Sequence, residues 1–342
     1  MMKKIVYCTL SFIVLAACHQ KPTSTAQHHE TQQKAKAELI TQVDCFADTH
    51  EILSRISQES SIQQLSAANT AVKKCTPKLN NTQIYQLLES TDLMYQRFLT
   101  TASGDESMEG LNAYGYAKAY PENAKDLGYE NAAIIKKTLP QRDQYLIDHI
   151  GKQYIQFLDI GEGYFELKQN PQYAVDMFVP YLPKAEALFI QRMAKDNSDI
   201  LYSDAAIAIP WQELVERALF WEKYIQQYPK SYFIQDAQLL FKEYEYLSFM
   251  GSDNSDTFGF ANGHYFVETK EVKPALLWLA QQPHSKLSEK AKLFLKHTSN
   301  YYPDWKQDEY DKQRDSLITL LQLTPSDFHR DCHRAALCKN SP

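Results

Sequence analysis

The sequence predicts an all-α fold of stacked helical hairpins, and three observations predict it. Glycine, which sheet-rich chains need at their turns, accounts for only 10 of 342 residues, about 3% against a usual ~7%. Apolar residues recur at three- and four-residue steps along most of the chain, the period of a helix with one buried face. The carboxy-terminal half also repeats itself: Tyr224–Lys242 aligns with Trp278–Lys296 at a constant offset, pairing Gln227 with Gln281, Pro229 with Pro283, Ser231 with Ser285, Ala237 with Ala291, Leu239 with Leu293 and Lys242 with Lys296.

The chain begins with Met1-Met2-Lys3-Lys4, a mostly apolar stretch from Ile5 to Val14, and then Leu15-Ala16-Ala17-Cys18. A basic start, a short apolar core and small residues at a cleavage point make a secretory signal peptide over 1–17. The apolar stretch is too short to span a bilayer, which takes roughly 20 residues. Small residues ending on a cysteine resemble the lipobox of bacterial lipoproteins. That resemblance implies cleavage before Cys18, a diacylglycerol thioether on its sulfur and a fatty acyl group (palmitate-type) on its amine. His19 follows where lipoproteins retained in the inner membrane often carry aspartate, so the resemblance favours the periplasmic side of the outer membrane.

Residues 18–36 are polar and lack an apolar period, and read as a flexible tether. His28-His29 within them is read as incidental rather than as a metal tract. A helical region is expected over 37–139. Val43, Phe46, His50, Leu53 and Ile56 mark one helix and Ile62, Leu65 and Val72 a second, with the polar Ser57-Gln58-Glu59-Ser60-Ser61 between them. Cys45 and Cys75 are equidistant from that break, so an antiparallel hairpin would bring them together as a disulfide. By elimination Cys332 pairs with Cys338. An unbroken helix would hold those two about 9 Å apart, beyond disulfide reach, so no helix runs through them. Cys8 leaves with the signal.

Ile84, Leu87, Leu88, Met94, Phe98 and Leu99 mark a third helix, whereas Thr101–Leu127, with Gly104, Gly110, Gly115 and Pro121, reads as looser structure. A second helical region is expected over 140–342. Pro140 should open a helix carrying Tyr145, Leu146, His149, Ile150, Tyr154 and Phe157. A short non-helical segment, a loop or a short hairpin, is expected near 159–169, where Gly161 and Gly163 break the rhythm and side chains alternate. Helices then begin near Pro183 and after Pro210, the latter running to about Gln227, and a last one ends near Leu321. Gly251–Thr269 reads as a polar insertion between the repeats.

Within the repeats proline stops one helix because its ring cannot continue the hydrogen-bond ladder, and serine two residues on can cap the next. These breaks, and Trp221–Ser231 in particular, resemble tetratricopeptide-type helical repeats, including those of the lipoprotein of the outer-membrane barrel-assembly machine. The resemblance covers about 80 to 100 residues and implies a tetratricopeptide-like α-solenoid or an irregular helical array.

A formal net charge of −6, with no run of basic residues, excludes an electrostatic footprint for nucleic acid. Chemistry is sparse. Asp159, Glu162 and Glu166, beside Tyr164 and Phe165, are the best acidic cluster, of the kind a glycoside hydrolase needs. His329, Asp331, Cys332, His333 and Cys338 are ligand types for zinc, but fit no metal spacing, and the cysteines have a simpler fate as a disulfide. Ser252–Thr257 is rich in oxygen donors yet lacks the central glycine and closing glutamate of a calcium loop. Tyr114, Tyr116, Tyr120 and Tyr129 could line a glycan or peptide groove, or pack between helices. No cofactor is expected.

The function expected is therefore a membrane-anchored periplasmic lipoprotein that binds or scaffolds an envelope protein without catalysis. The alternatives are an envelope glycan (peptidoglycan) hydrolase using Glu162 or Glu166, and a small-ligand-binding lipoprotein.

Overall fold

Capping chemistry sets the first helices. In a computed structural model, which describes residues 45–102, 105–267, 270–304, 309–324 and 330–340, helix α1 covers 45–54 and α2 covers Ile62–Cys75. Ser61 accepts the Gln64 N–H while the Gln64 side chain accepts the Ser61 N–H, satisfying two donors the helix start would otherwise orphan. Asn80 and Gln83 repeat that reciprocal cap on α3, Asn81–Phe98. Along α3 the buried residues Ile84, Leu87, Leu88, Met94, Tyr95 and Phe98 form one stripe. Disulfides join Cys45 to Cys75 and Cys332 to Cys338. The signal sequence, Cys18, the tether with His28-His29, and His329 lie outside the described residues.

Among the described residues fourteen helices hold about 60%. Those that follow are α4 (Asp105–Ala119), α5 (Pro121–Asp126), α6 (Ala132–Thr138), α7 (Gln141–Ile147), α8 (Gln172–Phe178), α9 (Lys184–Asp196), α10 (Trp211–Gln227), α11 (Ile234–Met250), α12 (Val272–Leu279), α13 (Lys286–Thr298) and α14 (Tyr310–Leu321). The described residues from Phe46 onward belong to one compact unit. Its principal core runs from Leu53 to Cys338.

The fold is mostly rather than wholly α, and some expectations need correction. Thr101–Leu127 is not loose but carries α4 and α5. The helix opened by Pro140 stops at Ile147, leaving His149, Ile150, Tyr154 and Phe157 outside it. The non-helical segment is a short hairpin as expected, β1 (Ile155–Gly161) with β2 (Tyr164–Gln169), but it has companions. These are β3 (Tyr202–Ser203) with β4 (Ala206–Ile207), and, inside the supposed insertion, β5 (Gly251–Ser252) with β6 (Ser255–Asp256) and β7 (Phe258–Ala261) with β8 (His264–Val267). Finally β9 (Arg330–Asp331) pairs with β10 (Lys339–Asn340) around the Cys332–Cys338 disulfide. The β1–β2, β3–β4 and β7–β8 hairpins turn on two residues at positive φ: Glu162-Gly163, Asp204-Ala205 and Asn262-Gly263, as twisted two-residue hairpins require.

Both segments that align in sequence are helix pairs. Helix α10 packs on α11 and α12, and α12 on α13. Pro229 and Pro283 fall between the paired helices, and each repeat serine finds a buried glutamate. Ser231 Oγ donates to Glu186 at 3.1 Å, and the adjacent Tyr232 N–H reaches the same oxygen at 2.9 Å. Ser285 Oγ donates to Glu222, whose other oxygen accepts the Lys286 N–H at 2.7 Å.

Candidate functional site

The candidate site is a tyrosine-walled groove bordered by the tip of the β1–β2 hairpin and by α4 and α5. Its floor is set by close packing. Gly115 lies where a Cβ would fall 2.3 Å from the Phe165 ring, so only glycine lets α4 approach β2 this closely. Asn112 Oδ1 accepts the Phe165 N–H at 2.9 Å, fixing helix to strand. Phe165 stacks on Phe157, which also meets Tyr114. A satellite core of Leu111, Tyr114, Leu139 and Ile147 backs the arrangement.

Above that floor, Tyr116 stands between Tyr120 and Tyr129, with ring centroids 5.3 and 6.0 Å away. One part of the groove, about 780 Å³, is lined by Tyr116, Tyr129, Tyr164, Leu127, Glu109 and Glu162, among others. The other, about 450 Å³, continues past Tyr120, Asn123, Asp159 and Ser203. Exposure is high for groups this apolar: Leu127 is 68% exposed, Tyr164 52% and Tyr129 46%. Water-facing aromatic surface on a fixed scaffold is the usual mark of a contact site.

The acidic residues separate. Asp159 is occupied, accepting the Gly161 N–H at 2.9 Å and the Tyr120 hydroxyl at 2.7 Å, and that hydrogen bond raises the Tyr120 pKa. Glu162 sits in the turn and borders both parts of the groove. Glu166 pairs in register with Leu158 and Asp159 with Phe165, so strand alternation turns Glu166 away from Asp159. Glu166 faces Arg334 at 3.4 Å and lines a different cavity of about 340 Å³ with Lys168. Glu162 and Glu166 thus border separate spaces and do not share one, as a glycosidase pair must.

Three of the four tyrosines named from sequence, Tyr116, Tyr120 and Tyr129, come together, and Tyr114 is buried beneath them. Sequence reasoning missed Tyr164, Leu127 and Glu109 as neighbours. Tyr164 had a local signal, since it follows Gly163 at the start of a strand; Glu109 shares a face of α4 with Tyr116, two helical turns on, and only Leu127 needs the α4–α5 corner to bring it there.

The remaining candidates have other partners. Cys332 and Cys338 are bonded to each other, and His333 Nε2 lies 2.8 Å from Glu243, which also accepts the Tyr202 hydroxyl at 2.9 Å. Among the described residues no group of three or more His, Cys, Asp or Glu is placed to hold a metal ion. The Ser252–Thr257 stretch ties two hairpins together: Ser255 Oγ accepts the Ile207 N–H and Asn254 donates to the Asp204 carbonyl. Among the described residues no helix is long and apolar enough to cross a membrane. No protein-family model, curated protein or solved structure matches this chain.

Proposed function

We propose that the chain is a non-catalytic protein-binding lipoprotein, held by its lipidated Cys18 on the periplasmic side of the outer membrane and scaffolding an envelope partner. The observation that carries this reading is the exposed groove of Tyr116, Tyr120, Tyr129 and Tyr164 around Leu127, built on a packed helical frame. Tyrosine supplies large contact area at little cost in side-chain entropy, which is why it is enriched at recognition surfaces. The successive pairs α10–α11 and α12–α13, each with the same serine–glutamate clamp, support reading the carboxy-terminal half as a tetratricopeptide-like array. Such arrays offer extended contact surfaces.

The test places a photo-crosslinking amino acid at Tyr164 of the full chain in cells. A reproducible, stoichiometric crosslink to one envelope protein, lost when the probe sits at Glu289 on α13 instead, is the expected outcome. The absence of any crosslinked partner overturns the scaffold reading. Loss of glycan-releasing activity in folded Glu162→Gln or Glu166→Gln protein would establish the hydrolase alternative in its place. Cys18→Ser is expected to move the protein from the membrane to the soluble fraction, and continued membrane retention refutes the anchor.

A further inference from the structure

The charges bordering the tyrosine groove are of one sign. Glu109, Asp159 and Glu162 line it, and among the described residues no lysine or arginine does. Asp159 is held by Tyr120 and the Gly161 backbone. The Glu109 and Glu162 carboxylates, in contrast, have no hydrogen-bond or ion-pair partner among the described residues. The faces of Tyr116, Tyr129 and Tyr164 add to the same bias, because an aromatic ring presents its negative quadrupole above and below its plane and attracts a cation there. Two unpaired carboxylates flanking exposed tyrosines and a leucine form a surface complementary to a long aliphatic stem ending in a positive charge.

We infer that the groove takes a lysine- or arginine-bearing extended segment of the partner protein. This rests on the protein-binding reading above and specifies the chemistry of what is bound. The charged heads sit between Glu109 and Glu162 over the tyrosine faces, and the stems lie along Leu127 and Tyr164. Charge complementarity decides against an acidic segment, which would meet two unpaired carboxylates. A neutral glycan could stack on the tyrosines and donate hydroxyls to the carboxylates, but it would leave their two negative charges uncompensated, which a cation does not.

The experiment uses the full chain in detergent and a fluorescein-labelled nine-residue peptide of alternating lysine and glycine, followed by anisotropy. Its controls are the same peptide with glutamate for lysine, and chitohexaose by competition. The expected result is binding of the lysine peptide alone, weakening as salt rises. Affinity should fall at least tenfold in Tyr129→Ala and in Glu162→Gln, and stay unchanged in Glu289→Gln on the distant α13 surface. Undetectable lysine-peptide binding, or binding weakened equally by Glu289→Gln, overturns the inference. So does chitohexaose binding that needs Tyr129 but not Glu162. A crosslinked partner at Tyr164 together with any of these failures leaves the protein-binding reading standing and removes the basic segment; no crosslink and no peptide binding remove both.

Discussion

The Glu222 carboxylate, buried on α10, caps the start of α13 by accepting the Ser285 hydroxyl and the Lys286 N–H, while Ser285 Oγ itself accepts the Ser288 N–H. A helix start leaves several N–H groups without partners, and here a side chain from a neighbouring helix fills the gap. One contact therefore sets both the end of a helix and its placement. Ser285→Ala is expected to cost about 1 kcal/mol and Glu222→Ala about 2–3 kcal/mol, because it strands buried donors. Urea unfolding of the two single variants and the double variant should give a coupling of at least ~0.5 kcal/mol; strict additivity would show that the cap is not shared.

Arg217 is the most completely enclosed cation among the described residues, at 2% exposure. Its guanidinium meets Glu213 at 2.6 Å, Asp196 at 3.5 Å and the Tyr244 hydroxyl at 3.2 Å. Burial raises the pKa of Asp196, a sign that its charge depends on Arg217 and on Arg192, 2.6 Å away. Arg217→Met keeps the volume but leaves those acids undercompensated, and should cost about 3–5 kcal/mol. A loss under 1 kcal/mol by urea unfolding would mean that Arg192 alone suffices.

The carboxyl of Glu243 gives the stability a specific acid dependence. Burial by itself would raise its pKa, but the His333 ring and the Tyr202 hydroxyl outweigh that and hold it below its ordinary 4.5. A carboxylate depressed in the folded state contributes stability that is fully present above its unfolded pKa and is lost as pH falls through the folded value. The stability advantage of the native protein over Glu243→Gln should therefore be constant above about pH 4.5 and shrink as the pH falls further. Unfolding curves at several pH values between 3 and 7 check this; a gap that widens in acid would reverse the assignment.

The Cys45–Cys75 bond closes a loop of roughly 30 residues, so replacing both cysteines with serine should cost about 3–4 kcal/mol. Non-reducing peptide mapping is expected to recover Cys45 with Cys75 and Cys332 with Cys338, and a Cys45–Cys332 peptide would contradict the fold.

Where the chain punctuates itself locally, the fold was readable. Pro183 and Pro210 precede α9 and α10 directly, and the hairpin around residue 60 follows from two apolar stripes and a polar break. The Asn262-Gly263 hairpin carried an equally local signal, a turn dipeptide flanked by alternating apolar residues, which the helical rhythm on either side overshadowed. Helix α4 was hidden for a different reason. Gly110 and Gly115 lower intrinsic helix propensity, and their purpose appears only in three dimensions, at Leu139 and Phe165. The groove was legible in type, through Tyr116, Tyr120, Tyr129 and Glu162, but not in membership. Leu127 reaches it through the α4–α5 corner, Glu109 shares a face of α4 with Tyr116, and strand alternation sends Glu166 elsewhere.

Gly115→Ala tests the packing beneath the groove, because two effects of opposite sign compete there. Alanine would favour the helix by up to ~1 kcal/mol over glycine. Its methyl would fall 2.3 Å from the centre-facing carbons of Phe165, a ring that is only 5% exposed and stacked on Phe157. Forcing a methyl into such a contact costs about 1–3 kcal/mol, so the net effect should be destabilising. Movement of Phe165 would also shift the Asn112 hydrogen bond and the strand that carries Glu162 and Tyr164. The variant is therefore expected to lose stability and to weaken lysine-peptide binding together, although Gly115 lies beneath the groove and does not line it. A variant that gained stability would place the α4–β2 contact further apart than described.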